Sequence, residues 1–290
     1  MFKAGFVNII GNPNVGKSSL LNALLGEKLC ITSPKVQTTR HRIKAFYTTE
    51  SMQIIFSDTP GILNPKYKLQ ELMKEAIDEA LEDADILLYL TSVDEKPEIP
   101  DIIKNIKIPI ILVINKIDIL KNQEELELLV KQWKNLLPEA KVVAISALYQ
   151  FNLKTILDII EELLPIHPPY FNTEDISDRN IRFFVSEFIR EKIFYLYKQE
   201  IPYSTEVIID NFLEEENITK IFATIYVLRE SQKGIIIGEK GKAIKELGTE
   251  ARKEIEKFLN TKIYLELKVK TLKNWRNDLK WLKRLGYIQK

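Results

Sequence analysis

The sequence predicts an α/β domain with a mainly parallel sheet, followed by a smaller α+β domain. Three observations predict it. Short β-rich runs alternate with longer helical patterns up to about Leu164. Three prolines in Pro165-Ile166-His167-Pro168-Pro169 then end the pattern and stiffen the chain. Charge also reverses along the chain: residues 1–219 hold 24 Lys/Arg and 33 Asp/Glu, a net of −9, whereas residues 220–290 hold 18 and 8, a net of +10. The total of +1 is therefore a cancellation, and such asymmetry marks two parts with different tasks. The expected domains are 1–170 and 181–290, with a linker at 171–180.

In the first part the strand candidates are Gly5–Ile10, Ile43–Thr49, Met52–Ser57, Ile86–Thr91, Ile110–Ile114 and Val142–Ile145. Several are apolar at every position, as strands covered on both faces are. Helices are expected over Lys17–Leu25, Leu69–Leu81, Gln123–Leu136 and Leu153–Leu163. In the third of these, Leu126, Leu129, Val130, Trp133 and Leu137 recur at helical spacing. Ligands of such domains bind at the carboxyl ends of the strands.

In the second part a helix is expected over Ile181–Tyr197, strands over Glu206–Leu213 and Ile221–Arg229, and a helix over Lys242–Leu259. A strand at Ile263–Val269 and a basic terminal helix at Leu272–Leu285 complete it. On that last helix Trp275, Leu279 and Leu282 share one face, with Trp275 and Leu279 expected to dock.

Gly11-Asn12-Pro13-Asn14-Val15-Gly16-Lys17-Ser18 matches the phosphate-loop pattern, between a strand and a helix as that pattern requires. The glycines let backbone wrap a phosphate chain, and the loop and helix N–H groups point at the anion. Lys17 adds positive charge near the β- and γ-phosphates, and the Ser18 hydroxyl suits Mg²⁺. Asp58-Thr59-Pro60-Gly61 follows the third strand; Asp58 can reach the metal shell opposite Ser18, and Gly61 can offer its N–H to a γ-phosphate. Asn115-Lys116-Ile117-Asp118 follows the fifth strand. Guanine presents two adjacent donors to a carboxylate such as Asp118, whereas adenine presents a lone pair that would repel it. Lys116 can lie along the base, and Ala147 of Ser146-Ala147 can offer its N–H to the guanine carbonyl. The candidate nucleotide contacts are Asn12, Asn14, Val15, Gly16, Lys17, Ser18 and Ser19, then Asp58 and Gly61, Asn115, Lys116 and Asp118, and Ser146, Ala147 and Leu148.

These four motifs, in this order, resemble a Ras-type P-loop GTPase domain of the translation-factor-like class. The resemblance implies GTP and GDP as ligands and a switch threonine between the first helix and the second strand. Thr39 is the expected Mg²⁺ ligand beside Ser18 and Asp58, with Thr38 the alternative. Lys17, Thr39 and Gly61 are the expected catalytic residues. Where Ras-like proteins carry a water-positioning glutamine this chain has Ile62, so intrinsic hydrolysis is expected to be slow and assisted by a partner or a cation. Asn14 stands where related GTPases hold K⁺, which makes K⁺ stimulation an expectation.

Gly238-Glu239-Lys240-Gly241 is a Gly-x-x-Gly tetrapeptide before a helix. Alone it is as often a plain turn as a nucleic-acid clamp. Lys233, Lys240, Lys242 and Lys245 surround it, and the apolar Ile235, Ile236 and Ile237 precede it after Gly234. The order of elements around it resembles a type II K-homology (KH) domain, an RNA-binding module. The expected RNA-binding residues are Lys233 to Lys242, with Lys245. Residues 268–290 add eight Lys/Arg against one acidic residue. A phosphate backbone relieves repulsion among such lysines, and an anionic membrane surface would do so weakly.

A Ras-like domain followed by a type II KH domain resembles the bacterial Era family of GTPases along nearly the whole chain. The resemblance implies binding of small-subunit ribosomal RNA near its 3′ end and a role in assembly of that subunit. Two alternatives are an RNA chaperone in which GTP only orders the chain, and a membrane-associated signalling GTPase. GTPase assays with and without RNA separate the first, and liposome flotation against RNA competition separates the second.

Composition excludes several classes. With 45% hydrophobic and 29% charged residues the chain has the profile of a folded globular protein, not a disordered one. A lone cysteine, Cys30, excludes an intramolecular disulfide and fits a reducing cytoplasm. Asn8 and Gly11 interrupt any signal-peptide core near the start. His41, His167 and Glu214-Glu215-Glu216 carry no functional expectation.

Overall fold

The structure is a computed structural model, in which residues 1–288 are described. The chain divides into two compact units. The first holds Met1–Cys30, Thr39–Asn64 and Met73–Asp178, and the second holds Arg179 onward together with Ile31–Thr38 and Pro65–Leu72.

The first unit is built on a six-stranded sheet. Its elements run β1 (Lys3–Ile10), α1 (Lys17–Leu25), β2 (Ile43–Thr48), β3 (Met52–Asp58), α2 (Lys68–Glu82), β4 (Ile86–Ser92), β5 (Ile110–Asn115), α3 (Gln123–Leu136), β6 (Lys141–Ala144) and α4 (Leu153–Leu163). The strand order is β2-β3-β1-β4-β5-β6, with β2 antiparallel to β3 and the other pairs parallel. β3 and β4 are buried at every residue, the polar Gln53, Ser57 and Asp58 of β3 included, which explains the apolar runs at 54–56 and 86–90. On one side of the sheet Trp133 of α3 packs edge-on against Tyr89 of β4, within a core of Ile10, Leu87, Leu112 and Ile114. β1 has β3 on one flank and β4 on the other, so successive connections leave in opposite directions. That reversal opens a crevice at the carboxyl ends of the strands.

The stretch after α4 lies on the first unit. Phe171 stacks on Phe46 of β2 at 4.2 Å, and Gln53 of β3 accepts from the N–H groups of Tyr170 and Phe171 and donates to the Phe171 carbonyl. The units divide between Asp178 and Arg179.

The second unit runs α5 (Ile181–Leu196), α6 (Ile201–Ser204), β7 (Glu206–Glu215), β8 (Ile218–Val227), α7 (Glu230–Ile237), α8 (Lys242–Leu259), β9 (Ile263–Thr271) and α9 (Leu279–Arg284). Asn180 caps α5 by accepting from the Phe183 N–H at 3.0 Å. β7 and β8 form an antiparallel hairpin with an irregularity between Ile209 and Asn211, and β9 joins β8 in parallel. α5 and α8 pack on one another over this sheet.

Two features depart from the sequence reading. Ile235–Ile237, read there only as an apolar run, is the last turn of α7; three β-branched residues after Gly234 obscured a helix whose start is held by the Arg229 carbonyl, which accepts from the N–H groups of Gln232 and Lys233, and by the Gln232 side chain, which accepts from those of Leu228 and Arg229. The terminal helix is also shorter than the predicted Leu272–Leu285. β9 runs on to Thr271, Asn274 takes a left-handed turn at φ 56°, and Asp278 caps α9 by accepting from Lys280 and Trp281. The shared face breaks with it. Trp275 and Leu282 are fully buried, and Trp275 Nε1 donates to the Ser204 carbonyl, but Leu279 is 54% exposed.

Candidate functional site

β1 ends at Ile10, and the chain turns through Gly11–Gly16 into α1. Gly16 sits at φ +101°, and a Cβ there would lie 2.4 Å from Asn115 Nδ2, so only glycine fits. No side chain caps α1, which leaves its first N–H groups to serve a ligand. Lys17 folds over the loop and donates to the carbonyls of Gly11 (3.0 Å) and Asn12 (2.8 Å). Burial pushes its ammonium down to about 8, against the opposing pull of Asp58 and Glu95. An arriving phosphate chain would reverse that shift.

Three oxygens converge beside Lys17. Ser18 Oγ donates to Asp58 Oδ2 at 2.6 Å, Thr39 Oγ1 lies 2.9 Å from Ser18 Oγ, and Thr39 Oγ1 donates to Asp58 Oδ2 at 3.2 Å. Asp58 is fully buried and its Oδ1 has no hydrogen-bond partner. Burial raises its pKa, and the hydroxyls of Ser18 and Thr39 and the charge of Lys17 hold it back. A buried carboxylate with a spare oxygen, beside two hydroxyls, is a hard-oxygen set that suits Mg²⁺. Thr38 is committed elsewhere: its Oγ1 lies 2.6 Å from Ser33 Oγ and donates to the Lys35 carbonyl at 2.7 Å. Gly61 packs against Pro13 of the phosphate loop. Ile62 donates its N–H to the Gly11 carbonyl at 3.2 Å, while its side chain packs on the apolar core.

The base-side motifs are laced together by Asn115. Its Nδ2 donates to the Val15 carbonyl at 2.8 Å and its Oδ1 accepts from the Ala147 N–H at 2.9 Å. The Ala147 N–H, expected to meet the guanine carbonyl, here donates to Asn115, whose buried amide is thereby satisfied at both ends. The Val15 side chain is also buried, so that residue can offer a ligand only backbone. Lys116 adopts φ 64° and its Nζ lies 3.5 Å from Asp94. Asp118 is exposed and accepts from Ser146 Oγ at 2.5 Å, while Leu148 is 76% exposed. Glu95 escaped the motif reading. It accepts from Asn12 Nδ2 (2.9 Å) and from Thr91 Oγ1 (3.0 Å), bracing the phosphate loop from the turn after β4. Its only signal is a carboxylate close behind a strand end on the crevice side.

In the second unit the Gly238–Gly241 loop joins α7 to α8. Gly238 has φ +71°, with Ala243 Cβ 2.6 Å from where its own Cβ would stand, and Lys240 takes φ 51°. Glu239, Lys240, Lys242 and Lys245 are exposed, and Gly234 and Ile235 lie open beside them. Lys233 is half-buried, 3.8 Å from Glu230, and Ile237, Gly238 and Gly241 are half-buried as well. Ile236 does not belong to this surface. It is fully buried, and its carbonyl accepts from the Tyr197 hydroxyl at 2.8 Å.

Comparison with known proteins agrees with this architecture. Residues 6–116 match the family model of 50S ribosome-binding GTPases, and residues 200–276 match that of KH domains. The GTPases Era of Staphylococcus haemolyticus and Geotalea uraniireducens are each 42% identical, aligned over 99% of this chain and 98% of their own. A crystal structure of Era in complex with MgGDPNP and nucleotides 1506–1542 of 16S ribosomal RNA superimposes with a TM-score of 0.95 at 38% identity, covering 100% of both chains. A point variant of Aquifex aeolicus Era bound to GDP·AlF4⁻ gives the same TM-score and identity over 99% of this chain and 100% of that one. The chain belongs to the Era family of GTPases.

Proposed function

We propose that this protein binds and hydrolyses GTP with Mg²⁺, binds small-subunit ribosomal RNA near its 3′ end through its second unit, and acts in assembly of that subunit in the cytoplasm. The observation that carries the reading is the convergence of Ser18, Thr39 and Asp58 oxygens beside Lys17. The choice of RNA rests on the Era complex with 16S RNA; the first unit's family model is described by the other ribosomal subunit, and is the broader likeness.

Lys17 and the N–H groups of α1 neutralise the phosphate chain. Ser18, Thr39 and Asp58 would hold Mg²⁺, which supplies charge stabilisation at the β- and γ-phosphates. Thr39 and the Gly61 N–H sense the γ-phosphate, and its loss frees both. Asp118 selects guanine. Asp118→Asn is expected to weaken GTP by at least about 10³-fold and to favour xanthosine triphosphate, because an amide can donate where the carboxylate only accepts. Asn14 is the proposed K⁺ contact, and equal hydrolysis rates in K⁺ and Na⁺ buffers would remove it. Hydrolysis in Mg²⁺ against EDTA, run alongside binding of a 3′-terminal small-subunit RNA fragment, tests the whole reading. It fails if hydrolysis persists in EDTA or the fragment binds no better than unrelated RNA.

Ile62 favours a second reading. Packed on the core, it offers no group to orient water, so hydrolysis would be incidental in a chain that GTP merely orders. Multiple-turnover assays with and without RNA separate the two. No helix among the described residues is long and apolar enough to cross a membrane. A weak peripheral contact by the basic surface of residues 268–290 is tested by liposome flotation with competing RNA.

A further inference from the structure

A polar row crosses the sheet of the first unit one residue behind its functional edge. Asn8 of β1 pairs with Ser57 of β3, and Ser57 pairs with Lys44 of β2, so these three side chains stand on one face. Arg42, two residues before Lys44, joins them there. Its Nε and Nη2 donate to Ser57 Oγ at 3.2 and 2.9 Å, and Nη2 also donates to Asp83 Oδ1 at 2.6 Å. Asn8 Nδ2 donates to the Ala80 carbonyl and, at 2.8 Å, to the same Asp83 oxygen. Asn8 and Ser57 are fully buried, and the Arg42 side chain is 10% exposed.

Packing alone explains this row poorly. Buried polar groups are costly unless each is paired, and neighbouring positions of the same sheet are filled by Ile9, Ile54, Ile55 and Phe56 without that cost. What the row does achieve is to fix where the β2–β3 ladder ends. Its last pair is Ile43 opposite Asp58. Arg42 is the first residue outside it, and its guanidinium reaches back to Ser57, the neighbour of Asp58. Only Arg40 and His41 separate Arg42 from Thr39, whose Oγ1 lies 3.2 Å from Asp58 Oδ2 and 2.9 Å from Ser18 Oγ. One fork therefore ties the strand end that carries Asp58 to the start of the segment that carries Thr39.

We infer that Arg42 is a positioning residue for the metal site: by gripping Ser57 and Asp83 it fixes the point at which the Thr39 segment leaves the sheet. The inference rests on the proposed role of Thr39 as a Mg²⁺ ligand. Arg42 acts through the backbone of residues 39–42, so its loss is expected to reduce γ-phosphate-dependent steps and to spare GDP. β2 itself is held at its outer edge, where the Phe46 N–H donates to the Ile176 carbonyl and the Lys44 N–H to Asp178 Oδ1, so the strand survives loss of the fork.

The test uses the full chain with R42Q, R42K, K44A and Thr39→Ala. It measures kcat and KM for GTP across a Mg²⁺ titration, together with GDP affinity and thermal unfolding. Lysine keeps the charge opposite Asp83 but lacks the planar fork that serves Ser57 and Asp83 together, so R42K keeps the test valid if R42Q does not fold. R42K is expected to lower kcat roughly tenfold, the size of one charge-assisted hydrogen bond, and to raise the Mg²⁺ requirement. GDP affinity is expected to stay within about twofold, as spared ground-state binding requires. K44A removes the other cation beside Asp83, 3.8 Å away and inside the ladder, and is expected to leave kcat and Mg²⁺ dependence within about twofold. In the Thr39→Ala background R42K should add little, as two changes on one path do. Folded R42K with unaltered kcat and Mg²⁺ dependence, where Thr39→Ala changes both, overturns this inference alone. An equal effect of K44A overturns it too, as does a parallel fall in GTP and GDP affinity with stability. If Thr39→Ala leaves Mg²⁺ dependence unchanged, the metal reading itself fails, and the inference with it.

Discussion

The chain carries two glycine loops that open helices, and they differ in how much protein surrounds them. At the first, a Cβ on Gly16 would strike Asn115, and Lys17 is buried over the loop's own carbonyls. At the second, Gly241 at φ +77° meets nothing within 4 Å of its Cβ position, and Lys240 and Lys242 stand in solvent. Neither α1 nor α8 has a side-chain N-cap, although the Lys242 N–H that opens α8 donates to the Glu239 carbonyl. The same local device thus serves two ligand types. Enclosure, with a desolvated lysine, suits a compact polyphosphate gripped from all sides. An open, basic rim suits a polymer whose backbone passes along it.

The comparison can be broken in order of expected effect. Gly16→Ala forces a side chain into a positive φ and into Asn115; nucleotide affinity should fall roughly 100-fold, from about 1–2 kcal/mol of backbone strain plus displacement of the Asn115 brace. Fluorescent-nucleotide titration reads it, and nucleotide-free RNA binding should be untouched. Gly238→Ala meets Ala243 at 2.6 Å. It should cost roughly tenfold in RNA affinity through strain of about 1–2 kcal/mol, with GDP binding unchanged. Lys240→Ala is the mildest: RNA affinity should drop a few-fold at low salt, and the slope of log affinity against log salt should shrink by about 0.7, the value for one phosphate contact on a single strand. If Gly238→Ala and Gly16→Ala each impaired both ligands equally, the division of labour between the loops would be wrong.

Much of this was legible in the residues. The phosphate loop, Asp58 and Asp118 come at the carboxyl ends of mainly apolar strands, and glycine spacing reports backbone geometry directly. Less visible were features set by tertiary partners. Asn115 lies inside a recognised motif, yet its part as a brace between Val15 and Ala147 depends on two loops far away in sequence. Glu95 has no pattern of its own until Asn12 is placed beside it. α7 was hidden because its three isoleucines prefer strands, and burial of Ile236 overrides that preference. Thr38 and Thr39 are chemically alike in sequence, whereas in the fold Thr39 Oγ1 lies beside Ser18 and Asp58 and Thr38 Oγ1 is bound to Ser33 and Lys35.

The most direct test of the account is RNA affinity in the two nucleotide states. The full chain, in Mg²⁺, would be titrated with a 3′-terminal small-subunit RNA fragment in the presence of a non-hydrolysable GTP analogue and, separately, of GDP. A switch whose γ-phosphate sensors are Thr39 and Gly61 predicts different affinities in the two states, and predicts that Thr39→Ala abolishes the difference. Equal affinities in the wild-type chain would contradict it.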